Sequence, residues 1–320
     1  MVRTLLFVFF ASLLVRAADP LPSWNDTPLK RDIVAFVTQA TDETSPRFVP
    51  PAERIAVFDN DGTLWPEKPL YFQLIYAIDT VKKMAPEHPE WQRTMPFKAV
   101  LRNDLDALLK GDTMRHIVTL LAATHTGMPD AVFTQRVREW ITTQRHPRFK
   151  HPYVDLRYQP MRELIRYLER NDFKVYIVSG GGLDFMRAFM PRYFGIASDR
   201  ILGSYAKTRF EKGDIVKLPE VAFVNDKTNK PIAIYRHIGV RPIFACGNSD
   251  GDVAMLQYSA RNARPSFQLL VHHTDAEREY AYDRDSSVGT LKEGLAIAKR
   301  QKWHIVDMRH DWKRVFAFEK

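Results

Sequence analysis

One cysteine, Cys246, is the only thiol the sequence holds. That excludes an intramolecular disulfide framework, so the fold must rest on its apolar core. Cys246 follows the apolar run Pro242-Ile243-Phe244-Ala245, which marks it as a small residue packed in that core. Long basic runs are missing as well: 47 Lys and Arg are scattered among 38 Asp and Glu, for a formal net charge of +9. Such scatter suits a small anionic substrate and gives no reason to expect nucleic acid as a partner. There is no internal repeat and no low-complexity tract. With 45% apolar and 27% charged residues, the composition argues against global disorder. At 320 residues the chain can bury a sizeable core in one large or two moderate domains.

Nor is there an apolar stretch that comfortably spans a bilayer. The N-terminal one, Leu5 to Val15, follows Arg3 and runs into Val15-Arg16-Ala17. That is the pattern of a secretory signal with a small-x-Ala cleavage site, and an uncleaved anchor or short buried helix is the alternative. No cysteine lies near the cleavage site, so a lipoprotein route is not indicated. We expect residues 1–17 to be removed, leaving a mature chain from Ala18 that is periplasmic or secreted and has no integral membrane span. The sequence is silent on oligomeric state.

What is present is organised around Ile55-Ala56-Val57-Phe58-Asp59-Asn60-Asp61-Gly62-Thr63. Four apolar residues running into two carboxylates and a glycine read as a short buried strand that delivers acids into a turn. In open parallel sheets, ligands bind beyond the carboxyl ends of the strands. Two acids aimed at one point repel unless a proton or cation lies between them, and a hard divalent cation such as Mg²⁺ suits oxygen ligands. A solvated turn also fits the motif by itself. A calcium loop does not, because Leu64-Trp65-Pro66 supplies no further ligands.

Around this strand the pattern divides. Thr27 to Thr41 has helical spacing, with Asn25, Asp26 and Thr27 as N-cap candidates. From Leu64 to about Asp155 there are no strands. Helices are expected over Leu70–Lys83, Phe97–Lys110, Thr113–Thr124 and Pro129–Thr143. Their aromatics Trp65, Tyr71, Phe72, Tyr76, Trp91 and Trp140 should mostly pack inward; an aromatic cage for a quaternary ammonium is the competing use. Strand and helix then alternate, with Phe173–Val178, Pro242–Cys246, Phe267–His273 and Trp303–Met308 as strands. Ser179-Gly180-Gly181-Gly182 reads as a tight turn, Arg200–Val221 as a hairpin turning at Glu211–Asp214, and Asp275–Tyr282 as a helix. The alternation predicts an α/β, Rossmann-like doubly wound parallel sheet with an inserted α-helical cap. The expected division is a core of residues 18–63 and 156–320 with a cap over 64–155.

Four stretches carry groups suited to one site: Asp59 and Asp61; Ser179 and Gly180 before a helix; Lys230 at a helix start, with Lys227 as its rival; and Gly247-Asn248-Ser249-Asp250-Gly251-Asp252. A carboxylate can attack phosphorus and split one hard displacement into two easier ones. A second carboxylate can protonate the leaving oxygen. A lysine, a hydroxyl and helix N-terminal amides can neutralise phosphoryl oxygens.

In this order the motifs resemble those of haloacid dehalogenase superfamily phosphatases, in the phosphoserine-phosphatase-like branch, over about Ile55 to Tyr258. The resemblance implies Asp59 as nucleophile and Asp61 as acid/base. It implies Asn60, Gly62, Thr63, Ser179, Gly180 and Lys230 as substrate or phosphate contacts, and Asp59, Asp61 (by its main-chain carbonyl), Asn248 and Asp252 as the Mg²⁺ site. The expected activity is hydrolysis of a small phosphorylated substrate. Asp61 argues against a dehalogenase, since the family's dehalogenases lack that second acid, while a phosphotransferase is a neighbouring alternative. One departure stands out: the family usually has Asp where this chain has Asn248, with Asp250 as an extra acid able to compensate. A binding protein that kept the fold and lost turnover is the reading from another class. His272 and His273 are expected to be a structural pair, and Tyr280, Tyr282, Asp283 and Asp285 to be packing or loop residues.

The export reading has a direct check. Mass spectrometry of the protein from the native envelope or medium should show a start near Ala18, and an intact Met1 in a cytosolic fraction would refute it.

Overall fold

The computed structural model describes residues 18–319; the expected signal segment lies outside them. Seven strands form one sheet: β1 (Ile55–Phe58), β2 (Lys174–Gly182), β3 (Ile201–Glu211), β4 (Asp214–Phe223), β5 (Phe244–Gly247), β6 (Phe267–His272) and β7 (His304–Asp307). Their order is β4-β3-β2-β1-β5-β6-β7. All neighbours are parallel except β3 and β4, which form an antiparallel hairpin. Lys212 and Gly213 both have positive φ at its turn, 52° and 89°, as a tight twisted hairpin requires.

The helices are α1 (Pro28–Thr41), α2 (Phe72–Met84), α3 (Phe97–Leu101), α4 (Leu105–Leu109), α5 (Thr113–His125), α6 (Asp130–Thr143), α7 (Gln159–Arg170), α8 (Leu183–Tyr193), α9 (Asn229–His237), α10 (Val253–Ala260), α11 (Glu293–Gln301) and α12 (Met308–Asp311). No described helix is long and apolar enough to cross a membrane. Strand β1 is buried at every position, and period two sends alternate side chains to opposite faces. Ala56 and Phe58 pack with residues of α1, α7 and α8, whereas Ile55 and Val57 pack with α9, α10 and α11. This is the expected doubly wound sheet. Its strand order reverses at β1, with β2 on one side and β5 on the other, which makes the ends of β1 and β5 the natural binding crevice.

Between β1 and β2 the chain is helical as expected, and α2 to α5 share an apolar cluster of their own. Helix α6 behaves differently: Phe133, Val137, Trp140 and Ile141 join the main core. Trp65, Phe72, Tyr76, Trp91 and Trp140 are buried, while Tyr71 is 37% exposed. The five buried rings are packing residues, and Tyr71 lines the cavity at the end of the sheet.

Three local expectations are corrected. The helix expected over Phe97–Lys110 is two helices, because Asn103 turns left-handed at φ 55° and the Asp104 side chain caps α4 at the Ala107 amide. The turn expected at Ser179–Gly182 is a continuation of β2, which pairs Gly182 with Ser204 across an irregular register. The helix expected over Asp275–Tyr282 is absent. There Arg278 bonds Asp275 and the carbonyls of Met308, Arg309, Trp312 and Lys313, and Tyr282 pairs with His273 instead. These distant partners outweigh local helical preference.

Gly203 is what lets β3 lie against the end of β2. A Cβ there would stand 2.7 Å from the Gly181 carbonyl and 2.8 Å from the Leu183 amide, both backbone atoms. Gly203→Ala should therefore cost roughly 1–3 kcal/mol in urea unfolding, as overpacking against rigid backbone does. A loss under about 0.5 kcal/mol, the level of a neutral surface change, would mean the strands part there without strain.

Candidate active site

The ends of β1 and β5 and the start of α9 meet in one buried ion cluster. Lys230 Nζ donates to Asp59 Oδ1 at 2.6 Å and to Asp252 Oδ1 at 2.5 Å. All three side chains are almost wholly buried. Asp252 Oδ2 also accepts from the amides of Asn248 and Ser249, both at 3.0 Å, and from the Ser249 hydroxyl at 3.2 Å. Both oxygens of Asp252 are thus committed to holding Lys230 and the loop. It is not presented as the metal ligand expected from sequence. Lys227, the rival lysine, is exposed. Burial works against the Lys230 charge, but Asp252 and Asp59 outweigh it and raise its pKa. Asp59 is itself pushed up to about 8, by burial first and the charge of Asp252 second. Both partners move upward because burial and Asp252 disfavour the Asp59 charge while the two carboxylates hold the Lys230 proton.

Asp61 lies on the cavity side. Its Oδ1 accepts from Trp65 Nε1 at 2.7 Å, so Trp65 orients an acid as well as filling the core. Burial lifts Asp61 to about 6. Its Oδ2 borders the Ser179–Gly181 end of β2, 3.5 Å from where a Gly181 Cβ would sit. At that strand end Ser179 Oγ accepts from the Gly181 amide at 3.0 Å, and Asn225 Nδ2 steadies the Ser179 carbonyl at 3.1 Å. Ser179, Gly180, Asp59, Asp61 and Lys230 line one cavity, so the structure brings the main sequence candidates together. Asn60 is also buried there, with Oδ1 unpartnered. Thr63 is placed differently: its hydroxyl is fully buried and donates to Asn248 Oδ1 at 3.0 Å.

Several participants were not legible in sequence. Glu67, 2% exposed, accepts from Asn248 Nδ2 and from Tyr282 Oη, both at 2.7 Å. Burial raises its pKa well above the usual range. Gly62, at φ 75°, is obligatory here, since a Cβ would stand 2.1 Å from Asn248 Nδ2 and 2.5 Å from Glu67 Oε1. His273 steadies the same loop, bonding the Gly62 carbonyl at 2.7 Å and Glu279 at 3.0 Å. Asp250 does not compensate for Asn248, because its carboxylate accepts from the amides of Lys292, Glu293 and Gly294 at the start of α11. Gln73 of α2 accepts from the Gly182 amide at 2.7 Å and reaches His125 of α5 at 3.1 Å. Burial depresses His125 to about 3, so it is a neutral wall of the cavity.

The donor set fits a hard divalent cation. Among the described residues Asp59 Oδ2 takes no hydrogen bond and Asn248 Oδ1 takes only that of Thr63, and oxygen donors of this kind suit such a cation. Among the described residues no three His, Cys, Asp or Glu side chains form a ready metal cluster. A cation here would therefore draw on Asp59, the Asn248 carbonyl and main-chain oxygen.

The sequence model of haloacid dehalogenase-like hydrolases matches residues 56–257, which spans β1 to α10. A functionally unknown protein from Anaerococcus prevotii DSM 20548 has a similar structure. The TM-score is 0.53 at 17% identity, covering 77% of this chain and 86% of that one. A second, of unknown function from Bordetella pertussis Tohama I, gives 0.50 at 14% identity, covering 80% of this chain and 99% of that one. At such identities the likeness is one of fold. A phosphoserine phosphohydrolase-like protein from Francisella tularensis subsp. tularensis SCHU S4 also aligns, with TM-score 0.40 and 14% identity over 79% of this chain and 94% of that one. No curated protein matches the sequence.

Removing the shared ammonium should be costly for the fold itself. Lys230→Met leaves two buried carboxylates uncompensated, and a loss of roughly 3–5 kcal/mol is expected, read by chemical denaturation in chelator. Unchanged stability would show that the cluster does not depend on Lys230.

Proposed function

The chain belongs to the haloacid dehalogenase-like hydrolases, and on that footing we propose that it is an exported, Mg²⁺-dependent phosphomonoesterase working through an aspartyl phosphate. One observation carries this reading: the Asp59 carboxylate is pinned through Oδ1 by Lys230, with Asp61 and Ser179–Gly180 at the end of β2 lining the same cavity. Pinning one oxygen leaves Oδ2 to face a bound phosphate, and positioning is most of what phosphoryl transfer needs. Export rests on the N-terminal charge and apolar pattern alone.

Asp59 Oδ2 bonds to phosphorus as the ester P–O bond breaks, and protonated Asp61 gives its proton to the departing alcohol oxygen. Asp61 then takes a proton from water, which attacks the same phosphorus and releases the Asp59 carboxylate and inorganic phosphate. Lys230, the Ser179 hydroxyl and main-chain amides at the end of β2 receive the phosphoryl oxygens throughout. Asp59, the Asn248 carbonyl and the Asp61 main-chain carbonyl would hold Mg²⁺, whose bound charge neutralises phosphoryl oxygens.

The leaving group faces the rest of the cavity, which encloses about 360 Å³. Ile117, Val118 and Leu121 of α5, with Phe133, Phe185 and Leu218, give it apolar walls. Its cationic side chains are Lys230 and Lys217, and Lys217 is paired with Asp130 at 3.0 Å and Asp184 at 3.5 Å. Among the described residues an acidic leaving group would find no free cation there, so an alcohol with an apolar body and no negative charge is the best match.

The test is phosphate release from an aryl phosphate with Mg²⁺, alongside phosphoserine. Aryl phosphate should be the better substrate, and Asp59→Asn should lose turnover by roughly a thousandfold or more while circular dichroism stays native. Near-normal release by folded Asp59→Asn would remove Asp59 as nucleophile.

A further inference from the structure

Position 248 raises a question of charge. An amide brings no formal charge to a cation, and the nearest acid in sequence, Asp250, is occupied at the start of α11. The carboxylate that actually touches Asn248 comes from 181 positions earlier: Glu67 Oε1 accepts from Asn248 Nδ2 at 2.7 Å. The amide orientation follows from this contact, since a flipped amide would set its carbonyl oxygen against a carboxylate. Asn248 Oδ1 therefore points the other way, where it meets only the Thr63 hydroxyl and keeps one lone-pair direction open.

Glu67 is held in place deliberately. Tyr282 donates to the same oxygen at 2.7 Å. Gly289, at φ 68°, leaves room that a Cβ would close to 1.8 Å from Oε1. The adjacent Lys68 turns away, over the Tyr282 ring at 4.6 Å and onto Ser286. Among the described residues Oε2 takes no hydrogen bond and no cation pairs with Glu67, although the residue is 98% buried and lines the cavity with Asp59 and Asp61. A buried carboxylate without a countercharge is costly to keep. A cation beside it removes that cost.

We propose that Glu67 carries, through the Asn248 amide, the negative charge that a carboxylate at position 248 would otherwise bring to a divalent-cation site. This rests on the phosphatase reading only in placing a cation between Asp59 and Asn248. Glu67 is a positioning residue: by accepting from Nδ2 it fixes the amide and makes Oδ1 a more basic ligand, as carboxylates behind ligating imidazoles do. The sequence departure is then a relocation of charge from β5 to the loop after β1.

Relocation predicts a reciprocal pattern in Mn²⁺ binding, measured without substrate from the free-ion paramagnetic resonance signal on the chain from Ala18. Glu67→Gln should weaken Mn²⁺ roughly tenfold or more, the range that such outer partners carry. Asn248→Asp in the Glu67→Gln background should restore affinity to within about threefold. Asn248→Asp alone should bring no tightening, because it sets two carboxylates against each other across the present 2.7 Å contact. The inference is overturned by wild-type affinity in Glu67→Gln, by a double variant as weak as Glu67→Gln, by a tenfold gain in Asn248→Asp, or by no Mn²⁺ binding in the parent chain. Should Glu67→Gln fail to fold, the single Asn248→Asp titration decides alone. Phosphate release is read separately: a parent that binds Mn²⁺ in this pattern without releasing phosphate contradicts the phosphatase reading and leaves the Glu67 assignment standing.

Discussion

A single buried ammonium holds the site together. Lys230, at the start of α9, bonds carboxylates that follow β1 and β5, so three separate segments are tied at the reversal point of the sheet. Burying ions is expensive, and the cost is offset only when geometry is good and every remaining oxygen is satisfied. Asp252 meets that condition, with amides and a hydroxyl on its second oxygen. Asp59 does not. Among the described residues its second oxygen is left without a donor, and that asymmetry separates the two acids.

The same division of labour runs through the loop after β1. Asp59, Asp61 and Glu67 line the cavity, while Gly62, Thr63 and Trp65 build what lies behind them. Thr63 and Glu67 grip opposite ends of the Asn248 amide, and His273 takes the Gly62 carbonyl. Residues that look like substrate contacts in a linear motif thus act by holding other residues still. A low-dielectric setting makes such fully satisfied contacts rigid and makes a free carboxylate oxygen a strong attractor of positive charge.

Above this floor the cavity is walled by elements with different allegiances. Helix α5 belongs to the apolar cluster of α2 to α5, α6 packs with the main core, and β4 is the edge strand of the sheet. Contact between the helical insert and the end of β2 is direct, since Gln73 takes the Gly182 amide and meets His125. One glutamine therefore ties the helical insert to the strand end that lines the cavity.

Much of this was readable along the chain, because strands buried on both faces show as apolar runs and site residues cluster in the turns at their ends. Asp59, Asp61, Ser179, Lys230 and Asn248 were picked out in that way as candidates, as were the sheet class and the helical stretch after β1. Where local pattern competed with distant anchors the reading failed, as at Asp275–Tyr282 and at the glycines ending β2. The partners of Asn248 left no local trace at all. Glu67 meets it across 181 positions and Tyr282 meets Glu67 across 215, separations at which neither periodicity nor turn chemistry carries information. Residue types and short-range geometry set which groups stand at the strand ends. Which of them are paired, and which carboxylate oxygens stay free, was decided only when the sheet brought those ends together, because hydrogen bonding and burial are properties of the packed neighbourhood.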